Sequence, residues 1–400
     1  MRVVHYCQHV LGMGHFFRSL EIDKALVDHE VTLVTGGTPL SITYPPHVQV
    51  IELPPLSMDE EFGAFIRTDK DGSKHILSEA ELEIIKLQRT DILTETLKAL
   101  QPDVFLIELF PFGRKQFSFE LMPVLELAKQ NAFPNMYTIC SVRDILVEKT
   151  KQQQFEERVL SILNSYFDAV LVHTDPKVIT LDATFPRINE ITIPIYNTGY
   201  ITPLPHDLCP EAVRESLSIT PDTPFILGSI GSGSVHPEIM QQLAAASILL
   251  NRTTPHRLLI STGPFMQPDA RTRIQELCAP YPHITVTDFI SDFITHLSAA
   301  DLSLSMAGYN TTMNLLAVDT FGLVFPFDQN REQRMRSTSL EKLGALKILE
   351  QKEMEPDRLS AILEQYVNTP APPPQHYVDL QGAMKSVRIL EQLLQSKAVG

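Results

Sequence analysis

The chain has 400 residues, 44% of them apolar and 20% charged, with a mean hydropathy of −0.01. That is the profile of a folded globular protein long enough for about two to three domains. Lys and Arg number 33 against 48 Asp and Glu, a net charge of −15, and the acidic excess holds in both halves (18 against 27, then 15 against 21), so neither half has the basic surface that nucleic acid requires. Cys7, Cys140, Cys209 and Cys278 form no CxxC pair and have no His at zinc-ligand spacing, which argues against a disulfide framework or zinc module and for reduced thiols. No apolar run approaches the roughly 18 residues of a membrane span, and residues 1–15 lack the apolar stretch and cleavage site of a signal peptide. The expected location is the cytoplasm.

In chain order, residues 2–7 are a β-branched run, 12–14 a glycine turn, and Phe16, Leu20, Ile22, Ala25 and Leu26 recur at helical spacing before a second apolar run at 31–35. This predicts a βαβ unit. Further strands are expected at 48–53, 104–107, 136–141 and 169–173, with helical patterns between them. The second half repeats the plan at 225–229, 257–261, 284–287, 302–305 and 322–325. The fold class expected is therefore α/β, with two doubly wound parallel sheets. Residues 186–224 hold seven of the 29 prolines, the composition of a linker. They divide the chain into domains 1–200 and 201–374. After a proline cluster at 370–374, Ala383, Val387, Leu390, Leu393 and Leu394 predict a final helix over 379–397 that returns to the first domain.

Three strand-to-helix turns carry candidate chemistry. Gly12-Met13-Gly14-His15 bends sharply and opens helix amides to negative charge. It lacks the third glycine and the later acid of a dinucleotide fingerprint, which disfavours nicotinamide or flavin chemistry. His15 in the first helical turn can be a neutral general base or a packing residue of that helix. The second turn, Gly228-Ser229-Ile230-Gly231-Ser232-Gly233-Ser234, forms an anion cradle or a plain tight turn; it is neither a P-loop nor a nucleophile elbow. In the third, Met306-Ala307-Gly308-Tyr309-Asn310-Thr311-Thr312, small and hydroxylic residues suit an anion or a sugar hydroxyl, or an ordinary N-cap. Polar residues 328–333 follow the next strand at the same edge.

The order of these pieces resembles MurG-type glycosyltransferases, a branch related to glycosyltransferase family 28. The resemblance rests on Val286-Thr287-Asp288-Phe289-Ile290, Ala300-Asp301-Leu302, the 306–311 turn, Phe325-Pro326-Phe327, Arg331-Glu332-Gln333 and Leu343-Gly344-Ala345. In the first half it rests on Gly12, Gly14, His15 and Arg18. It implies a GT-B fold, two Rossmann-like domains facing a cleft, with the acceptor on the first and a nucleotide-sugar donor, expected to be a UDP-sugar, in the second. Carried over by residue, the base meets Phe289 and Ile290, the diphosphate meets Gly231, Ser232, Gly233 and Ser234 with Gly308, Asn310 and Thr311, and Glu332 and Gln333 touch the sugar. Asn314 stands where the family has a ribose-binding glutamate, and residues 197–202 lack the family's phosphate-binding arginine. His15 is the implied catalytic base; Gly12, Gly14 and Arg18 form the acceptor-side loop. No DxD metal signature is present, so neither metal nor cofactor is expected, and Arg331 or Arg334 would join the helix termini in meeting the diphosphate charge.

The function implied is metal-independent, inverting transfer of a sugar to an acceptor hydroxyl, the acceptor being unknown and lipid-linked in many relatives. Two alternatives stand beside it: a nucleotide-sugar hydrolase resembling the PseG type, and a non-catalytic nucleotide-sugar-binding protein. Residues 110–119 interleave four phenylalanines with two cations, which suits either a peripheral membrane contact at the inner face or a loop that buries its aromatics.

Overall fold

Each half of the chain folds around its own parallel sheet. The computed structural model describes all residues except 10–12, 38–41, 59–63, 69–73, 206, 232, 234–235, 328–330, 370–376 and 400. Contacts divide it into one unit of residues 1–201 with 381–400 and a second of residues 202–380.

The first unit contains β1 (Arg2–Cys7), α1 (Gly14–Ala25), β2 (Glu30–Thr35), β3 (Val48–Glu52), β4 (Ser57–Met58), β5 (Phe65–Thr68), β6 (Lys74–Ile76), α2 (Glu79–Leu100), β7 (Val104–Glu108), α3 (Ser118–Lys129), β8 (Tyr137–Arg143), α4 (Gln152–Tyr166), β9 (Ala169–His173) and β10 (Ile195–Asn197). Seven strands form one sheet in the order β10-β9-β8-β7-β1-β2-β3, and every ladder in it is parallel. Such strands are covered on both faces and so read as apolar runs. Val4, Tyr6, Phe105 and Ile107 pack on one side with α2, α3 and α4 residues, while Val3, Cys7, Val104 and Leu106 pack on the other with Phe16, Leu20 and Ile22 of α1.

The small antiparallel sheet β4-β5-β6 was not foreseen. Its strands of two to four residues are too short to show a period. Leu56, Met58 and Phe65 pin it against Phe117, Leu82 and Ile85. The aromatic stretch at 110–119 is largely core: Phe110, Phe112 and Phe117 are buried, with Phe112 edge-on to Phe185 and the Arg89 guanidinium over Phe117. Phe119 is half-buried, with Lys86 over its ring, and among the described residues no helix is long and apolar enough to cross a membrane.

The second unit contains α5 (Pro210–Ser216), β11 (Phe225–Ser229), α6 (Pro237–Leu250), β12 (Arg257–Ser261), α7 (Pro268–Cys278), β13 (Ile284–Thr287), α8 (Phe293–Ala299), β14 (Leu302–Met306), α9 (Tyr309–Ala317), β15 (Gly322–Phe325), α10 (Arg331–Lys342), β16 (Leu346–Ile348) and α11 (Pro356–Asn368). Its six parallel strands run β13-β12-β11-β14-β15-β16, the doubly wound order in which strand direction of travel reverses between the first strand and the fourth. Helix α12 (Gly382–Val399) then belongs to the first unit. Gln381 bridges Ile201, the Gly382 amide donates to the Tyr200 carbonyl, and Val387 and Leu390 pack with Phe16 and Leu20. In both units the reversal point, where ligands of doubly wound sheets bind, is at the carboxyl edge: between β1 and β7, and between β11 and β14.

Candidate active site

At the first reversal point β1 feeds α1 while the neighbouring β7 ends in Glu108. His15 lies in the first turn of α1 and Arg18 one turn further on, so both side chains fall on the helix side that covers β7. His15 Nδ1 is 2.5 Å from Glu108 Oε1, and Arg18 Nη2 donates to the same oxygen at 2.6 Å. Arg18 Nη2 is also 3.0 Å from His15 Nδ1. Since two donors converge on one carboxylate oxygen, the proton belongs on Nδ1, which leaves Nε2 with its lone pair. The Glu108 side chain is 0% exposed and that of His15 23%, so the carboxylate is sealed while the imidazole keeps an open edge.

Burial alone would raise the Glu108 carboxyl, yet His15 and the Arg18 and Arg114 guanidinium groups hold it well below the usual carboxylate range. Burial pushes His15 down to about 4 against the pull of Glu108, with Arg114 and Arg18 adding to the lowering. At neutral pH the group is therefore an oriented neutral imidazole backed by a carboxylate, the arrangement of a general base. Glu108 was missed by the sequence reading, which ended its strand at residue 107. The signal was an acid closing an otherwise apolar run.

A buried brace stands beside this pair. Arg89, 0% exposed, makes a two-point contact with Glu120, with Nε to Oε2 and Nη2 to Oε1 both at 2.7 Å. It also bonds the Gly36 and Pro54 carbonyls and Gln8 Oε1, and Tyr6 donates its hydroxyl to Glu120. One guanidinium thus ties the loops after β2 and β3 to the end of β1. Beneath α1, His5 bonds Asp23, and His173 bonds Ser141 and Thr198. Gly14 is exposed as the first residue of α1, and Gly12 lies outside the described residues.

In the second unit two turns meet the reversal point. Gly231 has φ +66° and Gly233 φ +83°, values suited to glycine. A side chain on Gly231 would meet nothing within 4 Å, but a Cβ on Gly233 would come within 2.3 Å of the Thr262 carbonyl oxygen. Gly308, the N-cap of α9, also faces open space, and Asn310 and Thr311 are half-buried in the next turn. The glycine turn after β11 and the start of α9 after β14 therefore lie at one edge of one sheet, a setting that favours an anion; α6 itself begins only at Pro237. Ser232 and Ser234 lie outside the described residues.

The other expected donor residues are distributed unevenly. Phe289 is exposed and Ile290 buried. Asn314 Oδ1 accepts the Thr202 hydroxyl at 2.7 Å, Glu332 is buried, and Gln333 Oε1 accepts the Phe327 amide at 3.0 Å. Arg334, expected to meet diphosphate charge, instead makes a two-point pair with Glu350 at 2.9 and 3.1 Å.

Residues 229–379 match the glycosyltransferase family 28 C-terminal domain. Over 188 residues the chain is 23% identical to a UDP-N-acetylglucosamine--N-acetylmuramyl-(pentapeptide) pyrophosphoryl-undecaprenol N-acetylglucosamine transferase of Histophilus somni (strain 129Pt), a match covering 45% of this chain and 48% of that protein. Among solved structures it is similar to Acinetobacter baumannii MurG, with a TM-score of 0.57 and 16% identity over 98% of this chain and 99% of the other. Its fold is the GT-B fold. The same fold is shared with Medicago truncatula UGT71G1, solved with UDP-glucose, at a TM-score of 0.61 and 11% identity over 98% of both chains. The chain spans about half the length, or less, of the curated relatives it matches.

Proposed function

We propose that the protein is a glycosyltransferase of the hexosyltransferase type, moving a sugar from a nucleoside-diphosphate sugar to an acceptor hydroxyl by a single inverting displacement without a metal. The observation that carries this reading is the His15–Glu108 pair at 2.5 Å, with the imidazole edge open and the carboxylate sealed. His15 Nε2 takes the acceptor's proton as its oxygen attacks the anomeric carbon, and the bond from that carbon to the diphosphate oxygen breaks. Glu108 stabilises the imidazolium formed, which general-base catalysis requires. The charge gathering on the departing diphosphate meets the backbone of the turn at Gly231 and Gly233 and the amides at the start of α9, near Gly308, Asn310 and Thr311.

The donor we propose is a UDP-sugar, supported by the name of the similar Histophilus somni transferase and by the UDP-glucose held by a structural neighbour. The acceptor we propose is a lipid-linked glycan, as in that relative's name. The test is nucleotide release from UDP-, GDP-, CDP- and dTDP-sugars with and without candidate acceptors. Acceptor-dependent release with a UDP-sugar, lost in His15→Ala, is expected. Release that needs no acceptor would make the protein a hydrolase, and unchanged turnover in His15→Ala would remove the base.

A further inference from the structure

Phe265 and Phe289, 41% and 51% exposed, are the two exposed phenylalanines of the described residues. They follow neighbouring strands at the carboxyl edge of the second unit: Phe265 comes four residues after the end of β12, Phe289 two after the end of β13. Paired strands run about 4.8 Å apart, and here the two loops beyond them are fastened together. The Thr262 amide donates to the Thr287 carbonyl at 2.9 Å. Arg271 of α7 bonds the Gly263 and Pro264 carbonyls at 3.3 and 3.4 Å and pairs with Asp288 Oδ2 at 2.7 Å. One guanidinium therefore holds the residue before each ring.

The other flank of the Phe265 loop is fixed as well. Gly233 lies so close that a Cβ there would be 2.3 Å from the Thr262 oxygen and 3.0 Å from the Met266 nitrogen, and Met266 itself is 3% exposed. Phe265 is thus an apolar ring kept in water on a pinned loop, between the Gly231–Gly233 turn and the Phe289 segment. Leaving part of such a ring exposed forgoes the gain its burial would yield, and a preorganised aromatic wall is what a planar ligand uses.

We infer that Phe265 is a binding residue for the heterocyclic base of the donor nucleotide, forming an apolar wall of the base site next to Phe289. This rests on the donor reading of the second unit. Because every base has a π-face, stacking on Phe265 adds affinity without choosing the base; the choice is left to hydrogen-bonding groups.

The experiment is calorimetric titration of wild type, Phe265→Ala and Phe265→Tyr with UDP and with inorganic pyrophosphate. Stacking of this kind predicts about a 5- to 100-fold loss of UDP affinity in Phe265→Ala. Phe265→Tyr should stay near wild type, pyrophosphate affinity should be unchanged, and a thermal melt should be little altered because the ring is exposed. Wild-type UDP binding that Phe265→Ala leaves intact overturns this assignment alone, as does equal loss of UDP and pyrophosphate. Failure of the wild type to bind UDP, GDP, CDP or dTDP overturns the donor reading and this inference with it.

Discussion

Replacing Glu108 by Gln keeps the side chain's shape and removes the charge of a group that is 0% exposed. Oε1 receives His15 Nδ1 at 2.5 Å and Arg18 Nη2 at 2.6 Å, and each charge-assisted bond of this kind contributes about 1.5–3 kcal/mol. Arg18, with its side chain 3% exposed, loses its ion pair with Glu108, and breaking a buried pair costs about 3–5 kcal/mol. Catalysis suffers separately, because the imidazolium formed on proton transfer no longer faces a carboxylate and the Nδ1–H tautomer is no longer enforced. A positioned base is worth about 100- to 10,000-fold, so kcat should fall by about 100-fold or more while KM for the nucleotide sugar changes little. Initial rates of nucleotide release, paired with urea unfolding of the same samples, measure both effects. Glu108→Asp, which retains the charge, separates stability from orientation. A Glu108→Gln enzyme with kcat within about threefold of wild type, where His15→Ala is inactive, would refute the assignment of Glu108 as the positioning residue for the base.

Because burial holds His15 at about 4 and not at its ordinary 6.5, kcat/KM should persist as pH falls through 6.5 and decline only near 4; a limb near 6.5 in a pH–rate profile would contradict this. Stability should respond sooner. His15 stays neutral in the native state while the unfolded chain takes up a proton, so stability falls between about 6.5 and 4. Glu108, depressed below its ordinary 4.5, adds stability that is complete above that value and lost as pH drops further; urea midpoints measured from pH 8 to 3 would show both. Gly233→Ala should lower the melting temperature more than Gly231→Ala, since both have positive φ but only Gly233 meets a backbone oxygen, at 2.3 Å; equal shifts would argue that backbone conformation alone matters. Arg89→Met should cost about 3–5 kcal/mol in urea unfolding by leaving Glu120 buried and unpaired, whereas a loss below 1 kcal/mol would mean that the brace is dispensable.

The alternation of apolar runs with helical patterns marked both parallel sheets, and glycines after the strands marked the turns at Gly231, Gly233 and Gly308. These features are local: a strand or helix shows its period within about a dozen residues, and the positive φ of Gly231 and Gly233 is one that glycine adopts most readily. His15 was legible for the same reason, as a polar residue in the first turn of a helix after a buried strand.

What tertiary structure alone decided is which side chains meet. Glu108 reaches His15 across 93 positions of sequence, brought there by the parallel register of β1 and β7, in which Tyr6 pairs with Ile107. Thr202 reaches Asn314 across 112 positions. Arg334, free on paper to serve a diphosphate, is committed to Glu350 by the folding of β16 beside β15. Periodicity along the chain sets how each segment folds, but pairing between segments depends on long-range register and burial, and these determine whether a carboxylate is solvated surface or the partner of a base.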